Sequence, residues 1–366
     1  WSQRTESGMS QLRLGVVGVG ALGRHHARIL SEMDGVDLVG VAEVNPEQGQ
    51  SIAAAHNTTW YESPEELLEL VDAASIVVPS VFHLDVAELF IRRGIPVMVE
   101  KPLAATYDEA NRIVELADEF GTLVQVGHIE RFNPAFQKIA QSCNTPKYIK
   151  CERLAPFTFR STDIGVVHDL MIHDIDLALA LNDSPVVKVE AFGASVVSAH
   201  EDCAQARVYF ENGCIADLSA SRIHPEAKRT LHCWGYEGSF SADLNTREVS
   251  IFKPGDTLKH GPSLPERAKR PGSDIEKMKQ EIFGKQIEVE EQVVPKIDAL
   301  TAELQNFVDS IQAGTQPLVD ARAGLAAMDV AEMVLQSLNS HQWEGNVMGP
   351  VGPHFQLPAA SGLRVA

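Results

Sequence analysis

The sequence contains only five cysteines in 366 residues, and no two of them form a CxxC pair. An odd number of scattered cysteines predicts reduced thiols rather than a disulfide framework. No stretch approaches the roughly 20 apolar residues that a membrane-spanning helix needs, and residues 1–10 lack the apolar core of a secretion signal. These absences together predict a soluble, cytoplasmic chain.

Positive charge is also scarce. Lysine and arginine number 31 against 50 acidic residues, which gives a formal net charge of −19. A chain of this charge repels nucleic acids and anionic membranes at long range, so neither is an expected partner. An anionic small substrate is not excluded, because a few local arginines override the overall field. The length of 366 residues and the hydrophobic content of 44% predict two globular domains.

The first domain is predicted over residues 11–130, where short apolar runs alternate with helical patterns. Capping boxes at Ser63 and Thr106 indicate two helix starts. Strands are expected at residues 12–18, 36–43, 74–78, 95–100 and 123–126. Strand–helix alternation of this length predicts an α/β fold, with a doubly wound parallel sheet covered on both faces by helices.

The pattern changes after residue 130, and a second domain is predicted over residues 131–340. A helix is expected at residues 163–181, followed by strand patterns with no helices between them. These strands are expected at residues 186–197, 205–210, 215–222, 230–234 and 248–252. Consecutive strands favour an α+β domain with a largely antiparallel sheet.

The remaining segments of the second half are predicted to be less regular. Residues 253–286 are rich in lysine, arginine, proline and glycine, which predicts a long loop. Two helices are expected near residues 297–313 and 321–338. Residues 1–10 and 341–366 have no helical or strand period, so they are predicted to lie outside both domains as an extension and a tail.

A glycine loop follows the first predicted strand. Its G-x-G-x-x-G pattern consists of Gly18, Gly20 and Gly23, and Ala21 and Leu22 separate the last two glycines. Gly18 allows a tight turn, Gly20 lets the backbone approach a pyrophosphate, and Gly23 lets the helix pack against the strand. The pattern predicts a dinucleotide site whose phosphates bind free N–H groups at a helix N-terminus.

An acidic residue, Glu43, ends the second predicted strand, 20 residues after Gly23. In dinucleotide-binding domains an acid at this spacing accepts hydrogen bonds from the adenosine ribose, and its charge repels a 2′-phosphate. The sequence therefore predicts NAD rather than NADP. The alternative is a glycine-rich turn without a ligand, with Glu43 in solvent.

Two further segments carry candidate catalytic groups. Glu100-Lys101-Pro102 follows a predicted strand, and ligands of such sheets bind beyond the carboxyl ends of the strands, so Lys101 is expected to face a ligand. An ordinary strand-end salt bridge is the alternative. On the helix expected at residues 163–181, Asp169 and His173 are four residues apart and share one face, which suits a general base oriented by a carboxylate.

Two alternatives exist for that helix. The polar face can simply be solvated, or His168, Asp169 and His173 can bind a metal ion. The metal is disfavoured because no third ligand cluster of recognisable spacing occurs elsewhere in the sequence.

A third group follows the last predicted strand of the first domain. His128, Arg131 and Asn133 are candidates for contacting substrate or supporting Lys101. Asn-Pro is also a good turn and helix start, so a purely structural role is the alternative.

At these residues the sequence resembles the glucose–fructose oxidoreductase, inositol dehydrogenase and rhizopine catabolism (Gfo/Idh/MocA) family. The resemblance covers roughly residues 11–340. It rests on the order and spacing of the glycine loop, the Pro79-Ser80 pair with His83, Glu100-Lys101-Pro102 and the Asp169/His173 pair. It implies a Rossmann domain followed by an α+β domain with a large open sheet, whose exposed face commonly forms a homo-oligomer interface.

The resemblance also implies roles for individual residues. Lys101 is expected to contact both the nicotinamide cofactor and the substrate hydroxyl, and His173 to accept the proton with Asp169 beside it. The residues expected near the cofactor are Ser80, His83 and, at the nicotinamide ribose, Glu100. The bond between Lys101 and Pro102 is often cis in relatives.

Within the family, residues 128–134 and 169–176 resemble a branch that oxidises the 3-hydroxyl of UDP-N-acetylglucosamine. Arg153 and Arg160 are then candidates for pairing with a diphosphate, with simple surface charge as the alternative. An inositol or free-sugar dehydrogenase, an NAD-dependent glycosidase and a non-catalytic NAD-sensing regulator are the other functions that the same scaffold allows.

Overall fold

A computed structural model describes residues 11–159, 164–343, 346–347 and 349–353. In chain order the strands are β1 (Leu12–Val17), β2 (Val36–Ala42), β3 (Thr59–Tyr61), β4 (Ala73–Ile76), β5 (Val97–Glu100), β6 (Val124–Gly127), β7 (Pro146–Leu154), β8 (Val186–Ala194), β9 (Cys203–Phe210), β10 (Ile215–Ser221), β11 (Lys228–Gly235), β12 (Ser239–Asp243), β13 (Glu248–Pro254), β14 (Ile287–Val293), β15 (Gln342–Trp343) and β16 (Asn346–Val347). In chain order the α-helices are α1 (Gly23–Glu32), α2 (Pro46–Ala55), α3 (His83–Ile91), α4 (Tyr107–Phe120), α5 (Pro134–Ser142), α6 (Ile172–Leu181), α7 (Asp256–His260), α8 (Leu264–Ala268), α9 (Ile275–Gln280), α10 (Ala299–Ala313) and α11 (Ala321–Asn339). Within these described residues, no helix has both the length and the apolar character to cross a bilayer.

The first compact unit contains a six-stranded parallel sheet. Its strand order is β3-β2-β1-β4-β5-β6, and every neighbouring pair is parallel. All residues of β4, β5 and β6 are buried, as expected for strands covered on both faces. The order reverses between β1 and β4, which is where such sheets bind ligands at their carboxyl edge. This confirms the predicted doubly wound fold.

The second compact unit contains an eight-stranded sheet of order β14-β13-β12-β11-β7-β10-β9-β8. Only one neighbouring pair, β7 and β10, is parallel; the other neighbours are antiparallel. Burial alternates along β9 and β10, so one face of the sheet is covered and the other is accessible. The predicted α+β domain with a mostly antiparallel sheet is confirmed.

The division of the chain differs from the prediction in one respect. Residues Asp298–Asp329 belong to the first unit, whereas the sequence pattern assigned them to the second domain. Leu304 and Phe307 of α10 are fully buried in the same hydrophobic cluster as Leu14 of β1 and Leu30 of α1. A late helix therefore completes the core of the N-terminal unit, and the first boundary falls at Phe132.

Residues 253–286 also differ from the predicted loop, because they contain the short helices α7, α8 and α9. Local capping explains two of them. Ser263 and Glu266 form a capping box at α8, and the Asp274 side chain accepts from the Lys277 amide at the start of α9. Gly261-Pro262 and Pro271-Gly272 separate the helices and keep each one short.

Candidate active site

The glycine loop has the geometry that a dinucleotide site requires. Gly18 has φ of +83°, and a side chain there would lie 2.8 Å from the Val77 carbonyl oxygen. A side chain at Gly23 would overlap the Gly18 carbonyl oxygen at 1.9 Å. At Gly20, by contrast, the nearest protein atom to an added Cβ is Gln48 Nε2 at 3.9 Å. The first and last glycines are thus required by the protein itself, whereas Gly20 leaves room for a ligand to approach the backbone.

Glu43 lies just beyond the carboxyl end of β2 and contacts the glycine loop. Its Oε2 accepts a hydrogen bond from the Val19 amide at 3.0 Å, and its Oε1 accepts one from the Asn45 amide at 3.0 Å. The Trp60 indole donates to the Glu43 carbonyl oxygen at 2.9 Å. These contacts hold the carboxylate beside the loop, where the adenosine ribose of a dinucleotide binds.

A cavity of about 530 Å³ opens between these two features, wholly within the first unit. Gly18, Gly20 and Glu43 are among its lining residues, and most of the others are apolar, with Gln48, Glu62 and Asp85 as the polar exceptions. Val44 is 82% exposed and Phe82 is 52% exposed, which is unusual for apolar residues and suits the faces of an adenine ring. The glycine backbone, the N-terminus of α1, the Glu43 carboxylate and the largely apolar walls together fit NAD.

The turn that carries Lys101 begins where β5 ends. Glu100 is 7% exposed, and its Oε2 accepts from the Lys101 amide at 3.2 Å. Its Oε1 lies 3.2 Å from Nε2 of the fully buried His26. Lys101 itself is half-buried, and its peptide bond to Pro102 is cis, as the resemblance implies.

His83 supports the same turn from the other side. Its Nδ1 lies 2.9 Å from the Pro102 carbonyl oxygen, and its Nε2 lies 2.9 Å from the Val78 carbonyl oxygen. The side chain is almost fully enclosed, and this burial lowers the pKa of His83. The histidine therefore ties the end of β4 to the lysine turn. Ser80, expected near the cofactor, is half-buried, and the neighbouring Pro79 and Phe82 line the cavity.

In the second unit, the predicted catalytic pair lies on an irregular helix. Residues Val167–Met171 form a π-helix that contains His168 and Asp169, and α6 continues from Ile172 with His173 as its second residue. All three polar side chains are half-buried. Single π turns inside α-helices occur frequently at functional sites. The sequence predicts a continuous helix here and contains no recognisable signal for the π turn.

The start of this helix is held by acidic residues that the sequence reasoning missed. Glu201 is buried, and its Oε1 accepts from the Val167 amide at 3.1 Å, while its carbonyl oxygen accepts from the Val166 amide at 2.9 Å. Burial raises the pKa of the Glu201 carboxyl group. Arg222, paired with the buried Asp202 at 2.9 Å, donates to the Ile164 carbonyl oxygen at 2.8 Å. Two adjacent acids next to a strand were the only available signal.

Three of the residues predicted to contact substrate are buried within the protein. Arg153 forms a buried ion pair with Asp174, with Nη2 and Oδ1 2.8 Å apart, so its charge is compensated inside the unit rather than offered to a diphosphate. Asn133 caps α5 by accepting from the Ala135 amide, and it donates to the Leu244 carbonyl oxygen. His128 is 1% exposed.

The other two residues predicted to contact substrate are Arg131 and Arg160. Arg131 is half-buried and donates to the Leu318 carbonyl oxygen at 3.3 Å. Arg160 lies outside the described residues. Within the described part of the chain, no group of three histidine, cysteine or acidic side chains is arranged to hold a metal ion.

Comparison with known proteins matches both halves of the chain to one family. The model of an oxidoreductase family with an NAD-binding Rossmann fold (GFO_IDH_MocA) matches residues 12–128, and the C-terminal alpha/beta domain of the same family matches residues 150–345. UDP-N-acetylglucosamine 3-dehydrogenase of Acidithiobacillus ferrooxidans is 34% identical over 328 residues, which cover 89% of this chain and 97% of that protein. The scyllo-inositol 2-dehydrogenase (NAD(+)) of Bacillus subtilis is 29% identical, with coverage of 84% and 89%.

Solved structures agree with this match. The structure of the Acidithiobacillus ferrooxidans UDP-N-acetylglucosamine 3-dehydrogenase GnnA superposes with a TM-score of 0.78 at 34% identity, covering 90% of this chain and 98% of that one. GenD2 from gentamicin A biosynthesis, in complex with NAD, superposes with a TM-score of 0.72 at 19% identity, covering 92% and 97%. The second likeness is one of fold alone.

Proposed function

The chain belongs to the Gfo/Idh/MocA oxidoreductase family as an NAD-dependent sugar dehydrogenase, and from this premise we propose that it oxidises the 3-hydroxyl of UDP-N-acetylglucosamine or a closely related nucleotide sugar to a ketone. The observation that carries the proposal is the 34% identity with a dehydrogenase of that specificity across 89% of the chain. The half-buried Lys101, Asp169 and His173 support the same chemistry, because each is accessible enough to meet a ligand.

The proposed mechanism assigns one task to each polar group. NAD would be held by the glycine loop and Glu43, and it would supply the acceptor for the hydride that leaves the carbon carrying the hydroxyl. The His173 imidazole takes the hydroxyl proton, and the Asp169 carboxylate on the same helix orients that ring and stabilises its charged form. The Lys101 ammonium donates to the hydroxyl oxygen and stabilises the negative charge that develops on it.

The decisive experiment is to incubate the protein with NAD and UDP-N-acetylglucosamine. Reduced cofactor should appear by absorbance, and the nucleotide sugar should lose about two mass units, the two hydrogens removed in this oxidation. Lys101→Met and His173→Asn should each lower kcat by a factor of about 10²–10⁴ and leave NAD affinity nearly unchanged. Full activity of either variant would overturn the assigned roles.

The same assay distinguishes the other functions of the scaffold. The 29% identical scyllo-inositol dehydrogenase makes inositols the second candidate substrates, so scyllo-inositol, myo-inositol and free N-acetylglucosamine are assayed in parallel. A higher kcat/KM for any of these compounds would identify it as the substrate in place of the nucleotide sugar. Cleavage of a glycoside without net NADH would indicate a glycosidase, and a protein partner gained on NAD binding without any oxidised product would indicate a regulator.

We also propose that the accessible face of the eight-stranded sheet joins copies of this chain into a dimer or tetramer. Polar side chains on this face are already ordered: Asp217 accepts from Tyr148 at 2.8 Å and from Arg207 at 2.6 Å. The exposed Phe192 adds apolar surface beside a hollow of about 830 Å³. Light scattering coupled to gel filtration should give twice or four times the chain mass. A monomer at micromolar concentration would contradict this.

A further inference from the structure

We propose that the buried His26 is a positioning residue for Lys101, acting through the carboxylate of Glu100, and that it couples the lysine to the cofactor-binding helix. This inference deepens the proposed function, because it concerns the placement of the proposed catalytic lysine. All the residues on which it rests lie within the first unit.

The first observation is the position of His26. It lies in the first turn of α1, three residues after Gly23, and its side chain is fully buried. A polar ring without partners in such a place is costly, so its contacts are informative. Its Nδ1 lies 2.9 Å from the hydroxyl oxygen of the equally buried Ser75 on β4, and its Nε2 lies 3.2 Å from Glu100 Oε1 at the end of β5, within ion-pair distance but without the alignment of a hydrogen bond.

The chemistry of the three groups determines which ring nitrogen of His26 must carry the proton. An ionised carboxylate only accepts hydrogen bonds, so a favourable contact with Glu100 requires the proton on Nε2. The Ser75 hydroxyl can then donate to Nδ1 of the neutral ring. Ser75 thus orients the ring, and the ring orients the carboxylate.

The second observation is that Glu100 has little freedom to leave this arrangement. A Cβ added at Gly127 on the neighbouring strand would lie 2.8 Å from the Glu100 carboxylate, so the carboxylate fills the space that any other residue would occupy. Its second oxygen accepts from the Lys101 amide at 3.2 Å. Because one oxygen faces His26 and the other holds the lysine backbone, displacement of the histidine displaces the lysine turn.

The third observation concerns α1 itself. The helix begins at Gly23, the last glycine of the loop, so the free N–H groups at its N-terminus adjoin the proposed phosphate site. His26 is on the first turn of this helix. Binding of the pyrophosphate and placement of the Lys101 ammonium therefore depend on one rigid element. A displacement of about 1 Å at a reacting group lowers rates by roughly 10².

The experiment compares two substitutions at position 26. In His26→Gln the amide nitrogen reaches the position of Nε2 and keeps the donor toward Glu100, whereas in His26→Asn the shorter amide keeps only a partner for Ser75. His25→Gln, on the exposed neighbouring residue of the same helix, is the matched control. For each variant, kcat and KM are measured, NAD affinity is followed by tryptophan fluorescence, and the amine labelling rate of Lys101 is determined by mass spectrometry across pH, with and without NAD.

His26→Asn is expected to lower kcat by about 10–100-fold and to change the substrate KM and the NAD dissociation constant by less than about threefold. It should also shift the pH profile of Lys101 labelling, both with and without NAD. His26→Gln should keep kcat within about threefold of wild type, and His25→Gln should be unchanged.

Equal losses in the Asn and Gln variants would overturn the proposal, because they would indicate only a packing role for the ring. An unchanged labelling profile in a folded His26→Asn protein would also overturn it. Labelling needs no sugar, so a wild-type protein that is inert toward every sugar tested would contradict the proposed function and leave this comparison decisive.

Discussion

At the scale of single residues, two carboxylates bind backbone amides beside the candidate functional residues. Glu43 has both oxygens bound by backbone amides of the loops that surround the cofactor cavity. Glu201 accepts from the amide of Val167, the first residue of the π-helix that contains His168 and Asp169. The two acids thus act on different units through the same kind of contact, a carboxylate that accepts from backbone N–H groups.

Glu43→Ser should weaken NAD binding by about tenfold, because hydrogen bonds from the ribose to a charged acceptor are lost. It should strengthen NADP binding relative to NAD, because the repulsion of a 2′-phosphate is removed. Fluorescence titration of the variant with both cofactors measures this ratio, and Glu47→Ser, an exposed acid on the next helix, is the control. A ratio identical to that of wild type would contradict the assigned role.

Glu201 gives a prediction about pH. Burial raises the pKa of this carboxyl group above its ordinary value of 4.5 in the folded state. The folded protein therefore binds the proton more tightly, so the group's contribution to stability is fully present below pH 4.5 and is lost as pH rises through the folded pKa. Glu201→Gln keeps an acceptor for the Val167 amide but does not ionise.

The free energy of unfolding of Glu201→Gln and of wild type is measured by denaturant at pH 4 and at pH 8. The value for the variant minus the value for wild type should be larger at pH 8 than at pH 4. An equal difference at both pH values would show that the Glu201 pKa is the same in the folded and unfolded chain.

At the scale of elements, the glycine loop contains one glycine that the fold requires, Gly23, and one that we expect only the ligand to require, Gly20. Gly23→Ala places a methyl group on the Gly18 carbonyl oxygen and should destabilise the first unit by about 1–3 kcal/mol. Gly20→Ala meets no protein atom closer than 3.9 Å. Its melting temperature should therefore stay near that of wild type, while NAD affinity falls because the methyl group occupies the approach of the pyrophosphate.

Melting curves and NAD titrations of the two variants test this contrast. The prediction fails if Gly20→Ala melts as early as Gly23→Ala, or if it binds NAD with the wild-type affinity.

The same loop shows how far local patterns predict a site. The glycine loop, Glu43 and Glu100-Lys101 were predictable because strand, turn and helix start are adjacent in sequence, so spacing specifies geometry. The environments of His26 and Glu201 were not predictable, since their partners are 74 and 34 residues away. The sequence also favoured a diphosphate role for Arg153, and only its buried contact with Asp174 shows where that charge is used.

At the scale of the whole molecule, the chain returns late to complete its first unit. Phe307 of α10 is fully buried in the core formed by residues nearly 300 positions earlier. Phe307→Ala should lower the free energy of unfolding by about 3–5 kcal/mol through lost burial and the cavity left behind. NAD should raise the melting temperature of the variant, because the ligand binds only the folded state. Calorimetry with and without NAD measures both effects, and a loss below about 1 kcal/mol would place α10 outside this core.

The amino-acid sequence by itself determined the alternation of strands and helices, the parallel and antiparallel character of the two sheets, and the tight glycine turn that begins the first helix. These properties follow from residue period, capping and glycine geometry within short windows. Only the tertiary structure decided that α10 belongs to the first unit, that a π turn carries His168 and Asp169, and that Glu100 lies 3.2 Å from a buried histidine. The reason is physical: these features depend on which distant side chains share a buried space, and local pattern contains no record of that pairing.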